Sequence, residues 1–203
     1  VTRPDRQPRV RLDPDVRRAA IVAAAAEAFA RSSYASVTIS DIARRAGASD
    51  ALLYRYFAGK EPLYAEVVRL AVDDLLARQA VALGAVPDGA PVRDRVRAAT
   101  VVYLDHIAGH PQSWARPVRG PGSEPEAAAD VRARARGDYV DRLRALLATD
   151  RQQRHEYALW GYFGFLDAAC LRWVDRGCPD DERWAVVDAA LGALEGALGD
   201  WGG

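Results

Sequence analysis

Residues 37–57, VTISDIARRAGASDALLYRYF, constrain the fold of this chain more than any other stretch. Thr38 is a good helix N-cap. Asp41 follows three residues on, in the first turn, where a carboxylate favours the helix dipole. Ile42 and Ala46 share one face at i and i+4. Gly47 suits the left-handed conformation that ends a helix. Ser49 can cap a second helix, with Asp50 in its first turn. On that helix Leu53 and Phe57 share one face, while Asp50, Ala51, Tyr54 and Arg55 form the other. The spacing predicts two short helices around a tight turn with a polar outer face, which is the helix-turn-helix layout.

Charge is unevenly distributed around this stretch. The chain has 28 Lys or Arg and 28 Asp or Glu, but residues 1–60 hold 11 basic against 6 acidic side chains. A basic N-terminal third on an acidic remainder suits a module that meets a polyanion, joined to one that does not. Half of the 203 residues are hydrophobic, enough for a sizeable core. No run reaches the ~18 apolar residues that span a bilayer, and no signal-peptide pattern appears. The expectation is a soluble, cytoplasmic protein without membrane contact. Cys170 and Cys178 are eight residues apart, too far along the axis to bridge if one helix holds both.

The rest of the chain reads as helices. Residues 1–12 carry Arg3, Arg6, Arg9 and Arg11 without an apolar period, which predicts a flexible basic arm. Asp13-Pro14 opens a helix to about Ala30, with Ile21, Ala25, Ala28 and Phe29 on its apolar stripe. Tyr34 and Val37 should plug the core of this three-helix head. A helix from Glu61-Pro62 to about Ala82 buries Leu63, Val67, Leu70 and Leu75 and links head to body. Further helices are expected over 91–109 and 126–148, with 112–125 the least regular part. A helix over 151–176 is dense in aromatics, and its nearly all-round apolarity predicts burial on nearly every side. A last helix runs to about Leu198, with Trp184, Val187, Leu191, Leu194 and Leu198 along one side. The fold class is all-α, organised as arm 1–12, head 13–60 and body 61–203.

Thr38, Asp41-Ile42-Ala43, Ala46-Gly47, Ser49, Leu53-Tyr54, Tyr56-Phe57 and Lys60 followed by Leu63 resemble the signature of TetR-type transcriptional regulators. The resemblance covers roughly residues 15–65. It departs at Ser33, where the family usually has Gly, so Ser33 should lie outside the left-handed region. The resemblance implies a recognition helix over Asp50 to Phe57 that enters the major groove of double-stranded DNA. Ala51, Leu52, Arg55 and Tyr56 are then candidates for base or groove contact, since Arg can bond a guanine edge twice and apolar groups can meet a thymine methyl. Thr38, Ser40, Ser49, Tyr54 and Lys60 are candidates for phosphate. Taken alone, Tyr54 and Tyr56 read as packing residues.

The resemblance also implies a homodimer through the last two helices, with two heads one DNA turn apart on a palindromic operator. Gly161 and Gly164 would let a partner backbone approach. It further implies a pocket for a small, partly apolar or aromatic effector between the body helices. Tyr103, His106, Trp114, Tyr139, Tyr162, Phe163 and Leu166 are its candidate lining. His106 and His110 are spaced to share a metal but lack an evident third ligand, so no metal or cofactor is assigned. No nucleophilic triad, phosphate loop or acid–base pair stands out, and an enzyme is rejected. The expectation is a repressor released by its ligand. The alternative is a regulator whose body docks a protein, which requires a filled core and an exposed apolar patch.

Overall fold

The computed structural model describes residues 13–120, 122–147 and 153–199. The basic arm, Ala148 and the helix start at Arg151 fall outside them. The described residues form α1 (Pro14–Arg31), α2 (Ile39–Arg45), α3 (Asp50–Tyr56), α4 (Lys60–Gly84), α5 (Val92–Gly109), α6 (Pro111–Arg119), α7 (Glu126–Leu147), α8 (Gln153–Asp175) and α9 (Arg183–Leu198), with one 3-10 turn at Asp180–Glu182. They contain no strand, and the fold is all-α.

Local capping sets the first three helices. Asp13 accepts from the Asp15 amide at 2.9 Å, with Pro14 at the first helical position. Thr38 and Asp41 cap each other's amides at the start of α2. Gly47 ends α2 with φ +60, while Ala48 N–H donates to Ala43 O and Gly47 N–H to Arg44 O. That is the Schellman arrangement, and it requires the left-handed residue that Gly supplies cheaply. Ser49 accepts from Leu52 N–H to start α3. Ser33 does not take a positive φ. Ile21, Ala25, Phe29, Val37, Ile42, Leu53, Phe57 and Leu63 form one core, against which Tyr34 stacks on Phe29 and Tyr64 meets it edge-on.

Helix α4 leaves this core and joins the body. It packs on α1 at its start and on α5 and α7 further along. Its buried side therefore turns with its neighbours: Leu63, Val68 and Gln79 are buried, Val67 and Leu75 are half-buried, and Leu70 is exposed. The single stripe expected through Leu70 is corrected on that ground. Residues 112–125 also differ from expectation, because α6 occupies 111–119. Pro111 sits at its first turn, where the missing N–H has no helical partner to lose, and Trp114 and Ala115 bury its inner side. In α7, Ala128, Val140, Leu143 and Leu147 are buried, and Tyr139 beside them is half-buried.

The second core joins α5–α9 and includes Leu104, Ile107, Trp114, Leu159, Leu166, Trp173, Leu191 and Leu194. Helix α8 is not buried all round in the single chain: Tyr157, Trp160 and Phe165 are exposed, as is Trp184 on α9, apart from the buried Val187, Leu191, Leu194 and Leu198 with which the spacing groups it. Gly161 and Gly164 on α8 and Gly192 and Gly196 on α9 are also exposed, and a Cβ added to any of them meets nothing within 4 Å. The α8/α9 pair thus buries one side and leaves an apolar, small-residue side open. Cys170 and Cys178 are free; α8 ends at Asp175, so Cys178 lies beyond it.

Candidate DNA interface and effector cavity

Ala51, Tyr54 and Arg55 project from α3 into solvent, and Tyr54 is 55% exposed. Leu52 is half-buried. Tyr56 packs in part against the head core, so the turn of the helix points it away from Arg55. The three hydroxyls are exposed but already engaged: Thr38 and Ser49 cap helices, and Ser40 donates to Asp50 at 2.5 Å. Lys60 is drawn inward. Its ammonium donates to Tyr34 O at 2.9 Å and Val37 O at 3.0 Å and lies 4.2 Å from the centre of the Tyr34 ring. One of its three donors remains beyond those two bonds. Lys60 thus closes the loop between α1 and α2, a structural task that the sequence reading missed.

Two cavities lie on the body side. The larger, about 770 Å³, opens between head and body, walled by α1, α4, α6, the end of α5 and Arg132 of α7. The smaller, about 140 Å³, lies among α4, α5, α7 and α8. Ala71, His106, Trp114 and Arg132 line both and so form the partition between them. Of the candidate lining residues, Tyr103, Tyr139, Phe163 and Leu166 line the inner cavity, and His106 and Trp114 the partition. Tyr162 lines neither: its hydroxyl is buried against Thr100 at 2.9 Å, which places it in the core and corrects the expectation.

Polar groups around the inner cavity are paired. Trp114 Nε1–H donates to the Tyr103 hydroxyl at 2.8 Å, and Gln79 Nε2 donates to Ala99 O and to the Tyr139 hydroxyl. Burial raises the pKa of both tyrosines, and pushes that of Tyr162 up to about 12. Asp167 meets Arg136 at 2.5 Å, yet burial outweighs the guanidinium and raises its carboxyl pKa. His106 Nδ1 lies 3.1 Å from Arg78 Nη2. Arginine can only donate, so Nδ1 carries the lone pair and the imidazole is neutral. Burial, then the Arg78 and His110 charges, lower its pKa to about 4. His106 and His110 face each other with ring centres 5.9 Å apart.

The larger cavity reaches groups that periodicity did not mark. Arg116 of α6 donates from Nη1 to Phe29 O at 3.0 Å and Ser32 O at 2.8 Å. Arg132 reaches Glu124, which also accepts from Tyr64 at 3.2 Å. Reading 112–125 as irregular hid Arg116. Only the helical spacing from Trp114 through Pro117 could have marked the wall it belongs to.

Residues 21–67 match the family model described as bacterial regulatory proteins, tetR family. The HTH-type transcriptional activator FasR of Mycolicibacterium smegmatis is 34% identical over 191 residues, covering 91% of this chain and 85% of FasR. A tetR-family regulator from Streptomyces coelicolor superposes with TM-score 0.74 at 23% identity, covering 93% of this chain and 81% of its own. FadR from Bacillus subtilis, solved in complex with stearoyl-CoA, superposes with TM-score 0.66 at 19% identity, covering 89% and 97%. The signature from Thr38 to Lys60 thus sits within a likeness that runs nearly the whole chain, and the protein belongs to the TetR family of DNA-binding transcriptional regulators.

Proposed function

We propose that the protein binds a palindromic operator as a homodimer, represses from it, and is released by a partly apolar ligand held between its body helices. The observation that carries the ligand part is the pair of adjoining cavities. The larger is within the roughly 300–1,000 Å³ usual for small-molecule sites, and its volume and place speak against a filled body that serves only to dock a protein. Tyr54, Arg55 and Ala51 are the outward groups that support α3 as the reader of DNA, with the head over 13–60 and the body over 61–203. The open glycine side of α8 and α9 supports these helices as the dimer contact. Release requires that the ligand prefer a head spacing that no longer fits the operator. FadR of the same fold holds stearoyl-CoA, so acyl thioesters come first in a ligand panel.

The test is a titration of the protein against DNA upstream of its own gene, at two salt concentrations, with random DNA as control. Selective binding by about a thousandfold or more, weakened by salt, is expected, and the panel is then screened for release. Equal affinity for both DNAs would defeat the operator reading. Selective binding that survives every ligand in the panel would defeat acyl release.

A further inference from the structure

The large cleft has an apolar wall from Val22, Phe29, Tyr64 and Val67, and a cationic side from α6 and α7. The charged groups that face it differ in how they are neutralised. Arg119 pairs with Asp175, Arg132 with Glu124, and Asp74 with Arg78. Glu27 is exposed on α1 at the cleft, where solvent screens it. Arg116 is the half-buried exception. The partners of its guanidinium are the uncharged carbonyls of Phe29 and Ser32, at the C-terminal end of α1. A guanidinium there is favoured by the helix dipole, and it ties the body to the head across the cleft. An anion adds its own charge to that of the guanidinium and can accept two of its N–H groups side by side, which a single neutral carbonyl cannot.

We infer that the cleft binds an apolar anion, and that the anion draws Arg116 off the end of α1 and so loosens the head from α6. The inference deepens the ligand-controlled reading above: it gives the ligand a required negative charge and names the residue that passes occupancy to the head. The apolar wall holds the body of the ligand, and Arg116 takes its charged end. Once the two carbonyls lose their donor, the last turn of α1 loosens and the loop to α2 is left with the Lys60 bonds to Tyr34 O and Val37 O. The amides of Ser32, Ser36 and Val37, which bond to Ala28 O and Ser33 O, then open more often.

The test uses two fluorescent probes with the same rings, anilinonaphthalene sulfonate and its uncharged parent phenylnaphthylamine, on the full chain. The wild type should bind the sulfonate at least about tenfold more tightly than the parent, the scale of one charge-assisted bond. Arg116→Gln should remove that preference, so that the two probes bind alike, and Arg119→Gln should keep it. Hydrogen exchange at Ser32, Ser36 and Val37 should quicken when the sulfonate binds, and in Arg116→Gln without any probe. Equal binding of the two probes, sulfonate binding that survives Arg116→Gln, or exchange that does not change would overturn the inference. If Arg116→Gln loses its helical circular dichroism, Arg116→Met replaces it. Methionine keeps an unbranched apolar stem but offers no donor to the two carbonyls that Nη1 holds, so exchange should still quicken, and unchanged exchange overturns the inference. Neither readout uses DNA, so a failure here leaves the operator reading intact, and a failed operator titration leaves this result intact.

Discussion

Removing the Lys60 ammonium would leave the carbonyls of Tyr34 and Val37 without that donor. Lys60→Ala is therefore expected to destabilise the protein by about 1–3 kcal/mol, read from urea denaturation, before any effect on DNA is considered. Arg55 carries the opposite expectation, because it projects outward from α3. Arg55→Ala should leave stability within about 0.5 kcal/mol and change base preference at one operator position by about 1–3 kcal/mol. Competition among operator variants measures this, and a uniform loss across all sequences would place Arg55 on phosphate instead. His106 sets a pH dependence. Its native pKa of about 4 lies below the ordinary 6.5, so the unfolded chain takes up a proton first as pH falls. The stability due to its neutral form is complete above 6.5 and declines toward 4. His106→Asn should flatten the curve of stability against pH in that window, and a curve parallel to the wild type would remove His106 as its source.

Helices α8 and α9 present glycines where an isolated helix would prefer alanine by about 0.8–1.0 kcal/mol each. A Cβ at Gly164 meets nothing in the single chain. Gly164→Ala would stabilise a chain whose open side faces water, whereas a partner backbone on that side would be pushed away. Gly164→Leu is expected to weaken self-association by at least about tenfold in sedimentation equilibrium; a bare surface would leave it unchanged. Which elements could be read from sequence follows from the same distinction between local and distant causes. The caps at Asp13, Thr38 and Ser49 and the Gly47 stop act over four residues, so the three head helices were legible to within a residue or two. Helix α6 was not, because Pro111, Pro117 and Gly120 resemble a break until Pro111 is seen at a helix start. Leu70 reads as inward from spacing, and Trp184 as sharing a side with Val187 and Leu191, because periodicity gives a face but not the neighbour that covers it. Tyr162 has the chemistry of a pocket residue, and only its bond to Thr100 places it in the core.

Over the whole molecule, two cores are joined by one long helix and by a few crossing bonds: Arg116 to α1, Arg18 to Glu66, and Tyr64 to Glu124. Dimerisation through α8 and α9 would couple folding to protein concentration. The thermal midpoint should then rise as concentration rises, and a midpoint independent of concentration would argue for a chain that is stable alone. The basic first third and acidic remainder leave the operator-facing end to carry the salt dependence, so salt should weaken DNA binding without moving the thermal midpoint in parallel. Lys60 is also the only lysine in 203 residues. Its amine is held between two carbonyls in the head, and apart from the chain's own terminus there is no other primary amine for an acylating reagent to find. The rate at which that one nitrogen is acylated is consequently a built-in stopwatch for opening of the loop between α1 and α2. The added mass on a single peptide records how long the head stood open.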